Sequence, residues 1–555
     1  MKKIAIILST LLISLTCAMA QSSAVKTVSR SVFTLTTFNK DGSIHASSHG
    51  VFIGANGEAI STWSPFVGAA SAVVVDAKGN KMNVDAMIGA NEIYDVCKFR
   101  VSGKTTSAPI ANTPAAADNK LWLVGYSLKN PEFKEFSVSS VEKFMDKYSY
   151  YIFKTDIPEN TESCPIVNQK GQVIGLLELS KNTTNVYATD ANFINSFLLT
   201  GLSINDPVLR QTNIRTAIPD KQQDALLTLI LASERPDSAV RVQYINEFIN
   251  KFPTLPDGYT SRAKDAMNSN HFDIAAADME SAIKNSLKKD EAHSNYAKLI
   301  YQKEIYKSDI PYAPWSLDKA MEQAKQAYDI NPLPIYQHQQ AQIIFSKGDY
   351  QNAYNMFIAL SKTPIRNGEI FYEAAQCKTQ IKAPRTEIIA LLDSAIAACP
   401  QPLTSMAAPY VLARGSEWET ACDYRKAVTD YNQYDSLMNG RPISSQFYYN
   451  REQLEIKIHQ YKQALNDITR AIIMTPNDPT YWAEKASLHL RVNQFIDAIK
   501  SAERCTQLAP EYSDGFIVLG IAQIQNKDKA NGLKSLQKAK ELGDTRANEL
   551  INKYK

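Results

Sequence analysis

The chain has 555 residues, 44% of them hydrophobic and 21% charged, with a formal net charge of +3. Such a length exceeds one ordinary core and implies roughly two to four domains. Near-neutral charge without a long Lys/Arg run excludes an electrostatic footprint for nucleic acid.

Residues 1–20 read as a cleaved signal peptide. Lys2 and Lys3 precede an apolar stretch over residues 4–16, and Ala18-Met19-Ala20 is an A-x-A cleavage site. The apolar stretch is shorter than the roughly 18 residues that a permanent span needs, and no later stretch reaches that length, so no stable membrane span is expected. Cys17 follows Thr16 rather than the small residue a lipidated cysteine requires. The mature protein is therefore expected to be exported, periplasmic or secreted. Cys97, Cys164, Cys377, Cys399, Cys422 and Cys505 form no CxxC pair, which argues against zinc, and no metal or other cofactor is expected.

Residues 31–200 carry short β-rich runs, such as Ser31–Thr37, Ala72–Asp76 and Lys120–Gly125. Asp41-Gly42, Asn56-Gly57, Lys78-Gly79-Asn80 and Lys170-Gly171 supply turns. Turns recurring about every ten residues predict an all-β sandwich or barrel.

Three segments extend this reading. They are His49–Ile60 followed by Ser61-Thr62-Trp63-Ser64-Pro65, then Ala90–Phe99, then Ile157–Leu176 with Pro165-Ile166-Val167-Asn168 and Gly171-Gln172-Val173-Ile174-Gly175. Together they resemble the trypsin-like serine peptidases, most closely the HtrA type, over residues 28–200. The resemblance implies two packed β-barrels with a catalytic cleft between them. It puts Ser64 at the catalytic histidine position, Asp95 at the aspartate and Glu162 at the serine. Only the aspartate is retained, so the expected reading is a pseudoprotease: the mechanism needs a nucleophile, an imidazole base and an orienting carboxylate. Ser163 and Cys164 stand where the family has glycines, and either is the nucleophile of the alternative reading, a divergent serine or cysteine endopeptidase acting on unfolded envelope proteins. His45 and His49 lie in or before an early strand, away from the triad position. The resemblance also brings Cys97 and Cys164 to the borders of one cleft, leaving a disulfide and two separate thiols both open.

A linker is expected at 201–218 and an irregular helical cap at 219–255. Beyond it, Tyr461, Phe495 and Lys529 recur every 34 residues, as do Ala464, Ala498 and Gly532, and Ala471, Cys505 and Ala539, with Pro476 and Pro510 closing two units. The pattern resembles the tetratricopeptide repeat and implies about eight helix pairs over 256–555, stacked into an all-α superhelix. The first helix of each pair would line an inner face. Candidate peptide-binding residues there are His338, Gln342, Phe345, Tyr449, Gln453, Ser487, Arg491, Ile521 and Gln525. The expected function is a scaffold that binds peptide or protein partners and catalyses nothing.

Overall fold

The computed structural model describes residues 22–178 and 185–555; residues 1–20, expected as a signal peptide, lie outside the described residues. The chain divides into two compact units, residues 1–292 and 293–555.

The first unit opens on a short helix, α1 (Ser23–Val28), capped by the Ser22 hydroxyl. Six strands follow: β1 (Val32–Phe38), β2 (Ile44–Phe52), β3 (Glu58–Ser61), β4 (Ser71–Val75), β5 (Lys81–Asn91) and β6 (Val96–Val101). They close into a barrel in the order β1-β2-β3-β6-β5-β4. Alternation decides which faces turn inward. In β1, Phe33, Leu35 and Thr37 are buried between half-buried Thr34, Thr36 and Phe38. Phe33, Phe52, Trp63, Phe66 and Phe99 fill the barrel.

The second set is β7 (Lys120–Val124), β8 (Phe133–Ser137), β9 (Ser140–Phe144), β10 (Tyr148–Lys154), β11 (Pro165–Val167), β12 (Val173–Glu178) and β13 (Asn185–Asp190). It forms a seven-stranded sheet, β8-β7-β11-β12-β13-β10-β9, rather than a second ring closed by a ladder. The reason lies between β8 and β9. The Val138 N–H donates to Asn119 O and the Ser139 N–H to Ile152 O, so the chain itself passes from one edge of the sheet to the other. Val51, Ile60 and Val96 of the barrel share a core with Tyr151, Phe153, Ile166 and Leu177 of this sheet. The turn at Lys170-Gly171 needs glycine: Gly171 has φ +71°, and a Cβ there would lie 2.7 Å from Ala24 O of α1.

Residues 201–218, expected as a linker, are a packed strap. Leu209 and Ile214 enter the barrel core. Ile204 and Ile218 pack with Ala225, Leu229, Tyr244 and Phe248 of helices α2 (Gln222–Ser233) and α3 (Ser238–Lys251). The Met87 N–H donates to Arg215 O, and the Ala217 N–H donates to Met87 O. Arg215 also pairs with Asp85 at 2.7 Å and with Glu247, which in turn meets Arg100 at 2.8 Å. One helix pair, α4 (Pro256–Asn268) and α5 (Phe272–Asn285), completes the unit.

Helix α6 (Lys289–Tyr306) leads into the second unit, where α7 (Leu317–Ile330) follows. The pairs after it are α8 (Pro334–Ser346) with α9 (Tyr350–Leu360), α10 (Gly368–Gln380) with α11 (Arg385–Ala397), α12 (Ala408–Thr420) with α13 (Tyr424–Leu437), and α14 (Ser445–Lys457) with α15 (Tyr461–Met474). Then come α16 (Pro479–Arg491) with α17 (Phe495–Leu508), α18 (Ser513–Gln525) with α19 (Lys529–Glu541), and a closing helix, α20 (Arg546–Tyr554). The helices form because caps and small residues recur. Asp349, Asn367, Asp423, Ser444, Asp478 and Asp528 accept from first-turn N–H groups. Ala341, Ala353, Ala427, Ala464, Ala498 and Ala539 are fully buried where helices touch. Among the described residues no helix is long and apolar enough to cross a membrane.

Candidate functional site

Of the three expected triad positions, Ser64 follows β3 and Asp95 lies between β5 and β6. After Ser61, buried Trp63 stacks on Phe66 with centroids 6.1 Å apart, anchoring a single turn of 3-10 helix, Ser64–Phe66. Ser64 is left exposed at its start. Asp95 sits at φ +43° in the turn before β6. It takes both donors of Ser64: the backbone N–H at 2.6 Å and the hydroxyl at 2.7 Å. The two residues are thus brought together, with the serine filling the orienting carboxylate.

Glu162 is not part of that pair. Its side chain is exposed, and its carbonyl oxygen lies 3.2 Å from Nδ1 of His49. That contact went unread in the sequence, where His49 was placed away from the site. The cause is strand register: β2 pairs Gly50 with Ser61, and the Ser61 hydroxyl donates to His49 O, which sets the imidazole beside Glu162. Burial lowers the His49 pKa, and the Glu162 carbonyl offsets only part of this.

Ser163 turns inward at φ +63°. Its hydroxyl shares hydrogen bonds of 2.8 Å with those of Ser48 and Thr62, and it is fully buried. A serine nucleophile needs a base within about 3 Å; these partners are hydroxyls. Cys164 is fully buried, and burial pushes its thiol up to about 12, away from thiolate. Cys97 donates to Thr62 O at 3.3 Å, and both cysteines are free. Below the site, Glu178 accepts from Tyr150 at 2.8 Å and from Thr189; burial first, then the nearby Asp95, raises its pKa. Among the described residues no group of three or more His, Cys, Asp or Glu side chains is placed to hold a metal ion.

The candidate residues of the helical array differ in what holds them. His338 and Gln342 of α8 both donate to Glu373 of α10, at 2.5 and 2.7 Å. Burial alone would lower the His338 pKa, but Glu373 outweighs it and raises the value. Phe345 meets Tyr350 and lines a cleft of about 450 Å³ with Tyr372, Gln376 and Glu417. Tyr449 of α14 lies 5.4 Å from Tyr481 of α16, ring to ring. Gln453 donates to Glu452 at 2.7 Å and also meets Glu484. Ser487 and Ile521 are half-buried; Arg491 and Gln525 are exposed.

A feature missed in the sequence is a repeated ion-pair staple. Arg262 holds Asp278, Arg414 holds Asp430 and Arg451 holds Asp467, each sixteen residues apart and each linking the two helices of one pair. Arg414 and Arg451 also reach back to the preceding pair, through Asp393 and Asp435. The recurrence of Arg and Asp at this spacing was the available signal.

No protein-family model matches the chain. Several curated proteins resemble part of it. The E3 ubiquitin-protein ligase CHIP of Arabidopsis thaliana is 31% identical over 87 residues, 16% of this chain and 31% of the relative. Hsp70-Hsp90 organizing protein 2 of the same plant is 26% identical over 148 residues, 24% of this chain and 26% of the relative. Small glutamine-rich tetratricopeptide repeat-containing protein 2 of Saccharomyces cerevisiae is 27% identical over 93 residues, 17% of this chain and 27% of the relative. The helical part is a tetratricopeptide-repeat array. The chain spans about a third or less of the length of these relatives. Among solved structures, the active form of the Rv3671c protease from M. tuberculosis is similar to 33% of this chain and 85% of that one, at 13% identity and a TM-score of 0.29. In the tetratricopeptide array, the inner-helix candidates lie beside carboxylates: Glu373, Glu452 and Glu484.

Proposed function

We propose that this protein is an exported interaction scaffold, in which a trypsin-like domain of the HtrA type, without a working triad, is joined to tetratricopeptide repeats that hold peptide or protein partners. The observation that carries the reading is the capture of Asp95 by both donors of Ser64, which occupies the carboxylate an imidazole would need. Export to the periplasm or beyond rests on the Lys2-Lys3, apolar and Ala18-Met19-Ala20 segments.

A divergent endopeptidase using Ser163 or Cys164 draws on one observation, the His49 ring at the Glu162 carbonyl. Against it stand the hydroxyl partners of Ser163 and the raised thiol of Cys164.

Crosslinking of tagged full-length protein in the cells that produce it tests the scaffold. Tyr449→Ala with Arg491→Ala is expected to lose the captured partners while the melting temperature holds. Capture unchanged by both substitutions would place the binding surface elsewhere.

A further inference from the structure

The second helices α13 and α15 of two adjacent pairs, with the first helix α14 between them, line an open cleft of about 440 Å³, on residues outside the candidate set. Every side chain lining it is polar or charged. Its charges are almost, but not fully, matched. Arg451 grips Asp467 in a two-pronged pair at 2.6 and 2.8 Å and reaches Asp435 at 2.9 Å. Arg470 reaches the same Asp435 oxygen at 2.9 Å. Arg451 is thereby committed to the two aspartates, while Arg470, half exposed, makes a single contact with Asp435. Glu455 also lines the cleft, is only 2% exposed, and its Oε2 has no hydrogen-bond partner. A buried carboxylate oxygen without a donor is costly, so with Glu455 ionised the site is one donor and one positive charge short.

We infer that this cleft binds a protonated amine or guanidinium, with Glu455 as the carboxylate that receives it. An anion would meet three acidic side chains, Asp435, Glu455 and Asp467, against two arginines, one of them fully engaged. An apolar ligand would meet no apolar wall. A metal ion has no ligand cluster among the described residues. The amide and hydroxyl oxygens of Asn432, Ser436 and Gln463 can accept the remaining N–H groups of such a ligand.

The proton on Glu455 competes with the ligand. Burial, then the Asp467 charge, push its pKa up to about 8, against smaller opposing effects of Arg451 and Arg470. Glu452 faces it from the same helix and Asp435 from α13, while Glu484 of α16 lies beside Glu452. Below pH 8 each bound cation therefore displaces about one proton, and affinity rises up to about tenfold per pH unit until the carboxyl is ionised.

Isothermal titration of the full-length protein at pH 6.5, 7.5 and 8.5, in buffers of different ionisation enthalpy, tests this. The probes are spermidine, a lysine-containing peptide blocked at both ends, and the same peptide with norleucine for lysine. Spermidine binding alone indicates a small free amine; binding of the lysine peptide indicates a side chain of a partner protein; the norleucine peptide is expected not to bind. Glu455→Gln, close in shape to the protonated acid, is expected to weaken binding at least tenfold with its melting temperature at pH 6.5 unchanged. Arg470→Ala removes a competing cation from Asp435, whose Oδ2 stays bonded to Arg451, and is expected to tighten binding. Absence of binding by both cationic probes, equal binding by Glu455→Gln, or weakened binding by Arg470→Ala would overturn the inference.

Discussion

At the scale of single residues, Ser64 does what a retained histidine would have prevented. Its N–H and hydroxyl close on Asp95, making that carboxylate the cap of a surface turn. Ser64→Ala is expected to cost about 1 kcal/mol, and Asp95→Ala about 1–3 kcal/mol because it also strips the Ser64 N–H of its partner. Urea unfolding of the two variants checks the order; equal stability of all three proteins would contradict it. Glu452 is the other anomalous residue. One position after the staple arginine or its equivalent, other repeats carry Ala263, Gly415, Ala486 and Gly520; here a glutamate is fully buried with Oε1 unpartnered. Burial, then Glu484, raise its pKa to about 8, and Glu455 is raised equally. The folded chain holds these protons where the unfolded chain has released them, near the ordinary value of 4.5. Their stabilising contribution is complete below that value and is lost as pH rises towards 8, by up to about 1.4 kcal/mol per pH unit for each carboxyl. Melting should therefore occur at lower temperature at pH 8.5 than at pH 6, and Glu452→Gln should flatten the dependence. A melting temperature that rises over that interval would contradict the assignment.

At the scale of elements, the array was legible because its helices repeat small residues at fixed spacing, and the same alanines are buried in the structure. Its turns were not legible. The turn inside successive pairs passes through a left-handed residue, but that residue is Asn270, Gly348, Lys382, Cys422, His459, Asn493 or Lys527. Only the glycine and the asparagines announce such a conformation; the lysines, cysteine and histidine accept it because the packed helices on either side impose it. Lys527 has φ +68° and is exposed, so Lys527→Gly is expected to raise stability by about 0.5–1 kcal/mol, read as a higher midpoint in urea. A lower midpoint would mean the unfolded-state entropy of glycine outweighs the relieved strain. The strands divide similarly. Alternation marked β1, but the approach of His49 to Glu162 depends on the pairing of β2 with β3, a register that spacing along the chain does not contain.

At the scale of the whole molecule, a β-barrel domain precedes a tetratricopeptide array; three short segments led to the first expectation and the 34-residue period to the second. The strap at 201–218 was not foreseen, because its apolar residues Ile204, Leu209, Ile214 and Ile218 are spread among polar ones without a period. The candidate site was legible as a set of positions, not as a set of contacts: the sequence identified Ser64 and Asp95 but not the bonds between them, nor the inward turn of Ser163. The central claim is that the barrel domain does not cut and that the repeats hold. The most direct measurement is incubation of purified full-length protein with an unfolded protein substrate and a serine-reactive phosphonate, across a range of pH. The account predicts neither cleavage nor labelling. Cleavage or labelling that persists through further purification, and that Ser163→Ala or Cys164→Ala abolishes, would contradict it.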